Sequence, residues 1–201
     1  MSTIHLVLGG IRSGKSAHAE KLTAQLASSI GNPVLYLATG LAVDAEMSER
    51  IRRHQERRPA EWQTVEAPLN PVGALQGLPL DASRPPVLLL DSLDGWVSNL
   101  LFEHENAPPP ELEARVVGAV RRFASFVAEL DADTVIVSSE VGHSLVATSP
   151  LGRQFQDLLG TVNQTIAADA EAVTLVVAGI SVPIKAPSLD GKGLGEGGPL
   201  A

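Results

Sequence analysis

A chain of 201 residues suits one domain of ordinary size with a sizeable core, and a second independent domain is not expected. Its 15 basic against 23 acidic residues, a net charge of -8, argue against a general affinity for nucleic acid, and the absence of cysteine excludes disulfides and thiolate metal ligands while agreeing with a cytoplasmic location. No apolar run is long enough to span a bilayer, and a hydrophobic share of 44% with only 3% aromatic residues calls for a core of Val, Leu, Ile and Ala, as in a parallel sheet covered by helices.

The apolar start lacks the basic flank of a secretory leader and runs straight into a glycine-rich turn. Residues 4–8 predict a buried strand and residues 17–27 a helix, and between them stands GGIRSGKS, which fills the G-x-x-x-x-G-K-[ST] template with Gly9, Gly14, Lys15 and Ser16. Strand, loop and helix in that order are the context of a phosphate cradle. The glycines let successive N–H groups turn toward phosphate oxygens at a helix N-terminus. Lys15 then reaches the β- and γ-phosphates, and the Ser16 hydroxyl is offered to Mg²⁺.

Residues 33–38 predict a second buried strand, ended by Thr39 and Gly40; Thr39 either touches nucleotide or caps the next helix. A helical pattern follows over residues 44–58, halted by Pro59. It carries five arginines between Arg50 and Arg58, and Met47, Arg50, Ile51, His54, Arg57 and Arg58 share a broad face. From spacing alone such a face is a solvated helix end that suits the helix dipole. The segment around Trp62 and Glu66 reads as a strand or an extended loop, and a helix with loose boundaries is expected around residues 72–80.

Residues 87–90 predict a third core strand, closed by Asp91. In phosphate-loop proteins an acid in this position holds the Mg²⁺ shell opposite the loop hydroxyl. Helical spacing resumes over residues 93–102. A proline-rich interruption at residues 107–110 precedes an amphipathic helix over 111–130. Residues 134–138 form the fourth expected strand, followed by Glu140, which either stands at the mouth of the site, caps a helix or faces solvent. A helix over residues 151–170 and a fifth strand over 173–178 complete an α/β doubly wound sheet. Residues 1–185 are read as one nucleotide-handling domain and the Gly- and Pro-rich residues 186–201 as a flexible tail.

Five stretches in this order carry a family resemblance: the arginine-containing loop GGIRSGKS, then RIRRHQERRPAEWQTVE, WVSNLL after the acid-ended strand, SSEVG, and GRQFQDLLGTVNQ. Together they resemble the bifunctional adenosylcobinamide kinase/adenosylcobinamide-phosphate guanylyltransferases of cobalamin assembly, over nearly all of the chain up to Lys185. The resemblance implies a RecA-like P-loop fold and a homotrimer. It implies phosphorylation of adenosylcobinamide by ATP or GTP, then transfer of GMP from GTP to adenosylcobinamide phosphate, with pyrophosphate released. It also implies that His54 carries GMP covalently, so that the arginine-rich face is functional, with guanidinium groups offsetting charge on the departing pyrophosphate.

The family's nucleotide contacts carry over to Gly9, Gly10, Ile11, Arg12, Ser13, Gly14, Lys15 and Ser16, to Ala38, Thr39 and Gly40, to Gln55, Glu56, Arg57 and Arg58, and to Glu66 and Asp91. Ser16 and Asp91 are the implied Mg²⁺ ligands, and Glu66 the implied reader of guanine or ribose. Where the family often reads Asp-Cys-Leu-Thr, this chain has Asp91, Ser92, Leu93 and Asp94. Two rivals remain: a small-molecule P-loop kinase in which His54 does no chemistry, and a RecA-like nucleotide-dependent binding protein.

Overall fold

Leu6, Val7 and Leu8 are all buried, although successive side chains of a strand point to opposite faces. Strand β1 (Ile4–Gly9) is therefore covered on both sides. The same holds for β2 (Val34–Ala38) and β4 (Val87–Asp91), aliphatic strands buried nearly throughout. The computed structural model describes residues 2–41, 49, 52, 56 and 58–186. Seven strands form one sheet in the order β3-β2-β4-β5-β1-β6-β7, where β3 is Gln63–Glu66, β5 Thr134–Ser139, β6 Ala172–Val177 and β7 Ile180–Lys185. Every pairing is parallel except β6 with β7.

On one face lies α1 (Lys15–Ile30), which turns Ala19, Thr23 and Ala27 inward at four-residue intervals and ends at Gly31 in the left-handed conformation. Val7, Tyr36, Ala38, Leu89, Val135, Val137 and Val176 form the layer beneath it. The other face is covered by α2 (Pro71–Gln76), α3 (Leu93–Glu103), α4 (Pro109–Glu129) and α5 (Pro150–Asp169). In α4 the buried Leu112, Val116, Val120, Phe123 and Val127 recur every three or four residues, and Phe123 meets Trp96 of α3 edge-on with ring centroids 5.9 Å apart.

The α/β doubly wound, mostly parallel sheet expected from the sequence is present, with all five core strands. Two boundaries and one strand differ for local reasons. The interruption before α4 is present over residues 104–108, but α4 begins two residues earlier than expected: Pro109 opens it, because a first-turn residue has no intrahelical use for an N–H. The helix within 72–80 is short, capped by the Asn70 side chain and stopped at Gly77. The unforeseen strand is β7, which returns antiparallel after Ala178 and Gly179, at φ 52° and 80°. Two consecutive positive φ angles make the tight turn whose twist suits a hairpin, and Pro183 is tolerated because β7 is an edge strand.

Of the arginine-rich stretch, Glu49, Arg52 and Glu56 are helical. The rest of residues 42–57, His54, Gln55 and Arg57 among them, lies outside the described residues, as does the tail from 187 onward.

Candidate active site

Gly9, at the end of β1, and Gly14, just before α1, are each required by the backbone. A Cβ on Gly9 would lie 2.7 Å from the carbonyl oxygen of Val176 and closer still to Ser13 Oγ, and Gly14 takes a φ of 96°, where a Cβ is strained. The loop between them is tied down from below: Ser13 N donates to Gly10 O at 3.2 Å, and Gly179 N donates to Ser13 O at 2.8 Å. Arg12 takes a left-handed φ of 57° and, with Ile11, faces solvent. Lys15, the first residue of α1, is buried and folds back so that Nζ donates to Gly10 O at 3.3 Å. An ammonium spanning the loop in this way is where a β- or γ-phosphate oxygen would displace the carbonyl.

Asp91 ends β4, one strand removed from β1, and β5 lies between them. Its Oδ1 accepts from Ser16 Oγ at 3.4 Å and its Oδ2 from the hydroxyl of Tyr36 at 2.7 Å. Two hard oxygen donors side by side fit Mg²⁺, which takes one or two protein oxygens and completes its shell with phosphate and water. Among the described residues there is no His, Cys, Asp and Glu group of three that would make a self-sufficient metal cage.

The remaining predicted residues divide. Thr39 is fully buried, and its hydroxyl donates to Ser92 O at 2.8 Å and accepts from Ser92 N at 2.9 Å. It clasps the ends of β2 and β4 together, a use that neither a nucleotide contact nor a helix cap anticipates. Ala38 O accepts from Ala67 N, Gly40 is exposed, and Glu66 ends β3 beside Ala38 with its side chain in solvent. Glu56 is exposed and pairs with Arg52, which also holds Glu49 at 2.7 Å. Arg58 lies flat on the ring of Tyr36, its guanidinium carbon 3.3 Å from the centroid, and donates to Thr64 Oγ1 at 3.2 Å. Glu140 receives the Gly142 N–H on its carboxylate, lends its own N–H to Gly9 O, and lines a cavity of about 570 Å³ on the face away from α1.

The sequence reading gave no role to Tyr36, Ser92, Asp94 or Ser139 at this edge. Tyr36 holds Asp91, and Ser139 donates to Asp94 Oδ2 at 2.8 Å, which makes Asp94 part of the same rim. Ser92 caps α3 through Gly95 N at 3.3 Å. The available signal was a lone phenol in an otherwise aliphatic strand, VLYLA.

The family model described as cobinamide kinase / cobinamide phosphate guanyltransferase matches residues 5–184. The chain belongs to this family. The match runs from β1 to β7, so the phosphate loop, the arginine-rich stretch and Asp91 all fall inside it. The bifunctional adenosylcobalamin biosynthesis protein CobU of Escherichia coli (strain K12) is 37% identical over 186 residues, 90% of this chain and 98% of that protein. The bifunctional adenosylcobalamin biosynthesis protein CobP of Pseudomonas aeruginosa is 38% identical over 184 residues, 92% and 98% of the two chains. Among solved structures, the flagellar accessory protein FlaH from Methanocaldococcus jannaschii superposes with a TM-score of 0.50 at 10% identity, over 92% of this chain and 79% of that one. At that identity the likeness concerns fold alone, a RecA-like P-loop sheet.

Proposed function

We propose that this chain carries out both reactions of its family on one nucleotide site. In the first, the aminopropanol hydroxyl of adenosylcobinamide attacks the γ-phosphorus of ATP or GTP. An O–P bond forms, the bond from γ-phosphorus to the bridging oxygen breaks, and nucleoside diphosphate and a proton leave. In the second, a ring nitrogen of His54 attacks the α-phosphorus of GTP, pyrophosphate departs, and the GMP held on the imidazole passes to a phosphate oxygen of adenosylcobinamide phosphate. The products are adenosylcobinamide-GDP and the free imidazole.

The observation that carries this reading is Ser16 Oγ meeting Asp91 Oδ1 at 3.4 Å beneath a loop whose Lys15 is already buried across it. Lys15 neutralises charge on the transferring phosphoryl group, and backbone N–H groups of the loop would hold its oxygens. Ser16 and Asp91 would hold Mg²⁺, whose bound charge offsets that of the triphosphate. The role of His54 rests on the family resemblance of RIRRHQERR, as do those of Gln55 and Arg57; Glu66, exposed beside the end of β2, is free to accept hydrogen bonds from guanine. We place the enzyme in the cytoplasm as a homotrimer. No helix among the described residues is long and apolar enough to cross a membrane, and Val177, Ile180, Val182 and Ile184 leave an exposed apolar strip on the terminal hairpin that an assembly would cover.

Incubation with GTP labelled at the α-phosphate is the test. Acid-labile, base-stable label is expected on the protein and is expected to vanish in His54→Ala. A folded, GTP-binding protein that takes up no label, or a His54→Ala variant that still makes adenosylcobinamide-GDP at the original rate, refutes the covalent route.

A further inference from the structure

One of the hydrogen bonds to Asp91 leads away from the phosphate loop, to Tyr36 of β2. The Tyr36 hydroxyl occupies Oδ2 at 2.7 Å, which leaves Oδ1 beside Ser16. Tyr36 is 1% exposed. A phenol ionises only near pH 10, so it is a donor at neutral pH. On the ring lies the guanidinium of Arg58, anchored to Thr64 of β3 and with its Nε shielded from water and without an acceptor among the described residues. A cation on a ring face is bound by the ring's electron density, and it draws charge from the phenol, which strengthens the O–H as a donor. Arg58 stands four residues after His54, at the end of the arginine-rich stretch.

We infer that Tyr36 is a positioning residue that aims the Asp91 carboxylate at the metal, with the Arg58 stack strengthening its hold. With Arg58 seated, the phenol holds Asp91 with Oδ1 turned toward Ser16; with Arg58 lifted, that bond weakens and the carboxylate is freer to rotate. The inference rests on Ser16 and Asp91 being the Mg²⁺ seat.

The test uses Mn²⁺ as a probe, its binding to the full chain with a non-hydrolysable GTP analogue followed by electron paramagnetic resonance. Tyr36→Phe keeps the ring and is expected to weaken Mn²⁺ about tenfold, in the range found when a group supporting a metal ligand is removed, while metal-free nucleotide affinity stays unchanged. Arg58→Leu is expected to weaken Mn²⁺ in the parent and to have no added effect once Tyr36 is Phe. Parent-like Mn²⁺ affinity in Tyr36→Phe overturns the inference, as does an Arg58→Leu effect of equal size in both backgrounds. Asp91→Asn separates the layers: if it too leaves Mn²⁺ affinity unchanged, the seat is misassigned and the inference falls with it; if it alone weakens Mn²⁺, only the role of Tyr36 fails.

Discussion

Replacing Thr39 by valine keeps the shape of the side chain and deletes one oxygen. That oxygen serves Ser92 twice, accepting its N–H at 2.9 Å and donating to its carbonyl at 2.8 Å, in a place where Thr39 has no exposed surface and water has no access. A buried N–H left without an acceptor is destabilising by about 1–3 kcal/mol, and a lost neutral bond to the carbonyl by about 0.5–1.5 kcal/mol. Together they amount to about 2–4 kcal/mol. For a domain of this size that lowers Tm by about 5–15 °C. The measurement is thermal unfolding by far-ultraviolet circular dichroism without nucleotide, with Thr39→Ser, which keeps both bonds, as the control expected to lie near the parent. If Thr39→Val melts within about 2 °C of the parent but loses GTP affinity, the hydroxyl is a ligand contact and the clasp between β2 and β4 is not its use.

Two more outcomes are expected. Lys15→Ala should lower both phosphoryl and guanylyl transfer by about 10²–10³-fold, since each must hold a triphosphate, while Tm does not fall, because a buried ammonium with a single 3.3 Å bond is removed; steady-state kinetics and melting decide it. His5, at the start of β1, has its pKa lowered chiefly by burial against a weaker pull from Asp133 and Glu171. A lowered folded-state value means the unfolded chain binds the proton more readily. Stability is therefore full above the ordinary imidazole value of about 6.5 and declines as pH falls below it; His5→Leu should flatten that slope in urea titrations between about pH 6.5 and 5.

What the sequence disclosed follows from how local the physics is. The phosphate loop needs a strand, two glycines, a lysine and a hydroxyl within a dozen residues, and all are contiguous, so Gly9, Gly14, Lys15 and Ser16 could be read directly. The Asp91 partnership was legible because a carboxylate ending an aliphatic strand is itself a local pattern, even though the hydroxyl it meets belongs to α1. The roles of Tyr36, Thr39 and Ser139 were not legible, because each depends on which strand lies next to which: β2 beside β4, and β5 between β4 and β1. Strand β7 was hidden by Pro183, whose missing N–H argues against a central strand and is harmless at an edge. His54 is the opposite case: nothing in its spacing distinguishes it from a solvated histidine on an arginine-rich helix, and only kinship of the surrounding residues singles it out.

The bond from Gly179 N to Ser13 O joins the turn of the last hairpin to the first loop of the chain. On the ribosome, the nucleotide pocket is therefore begun early and finished late: its glycines emerge first, yet the peptide beneath them arrives only when β6 and β7 have been made. A nascent chain halted before that hairpin would carry every residue of the phosphate-binding signature and still lack a floor for it, which ties competence for GTP to the synthesis of β6 and β7.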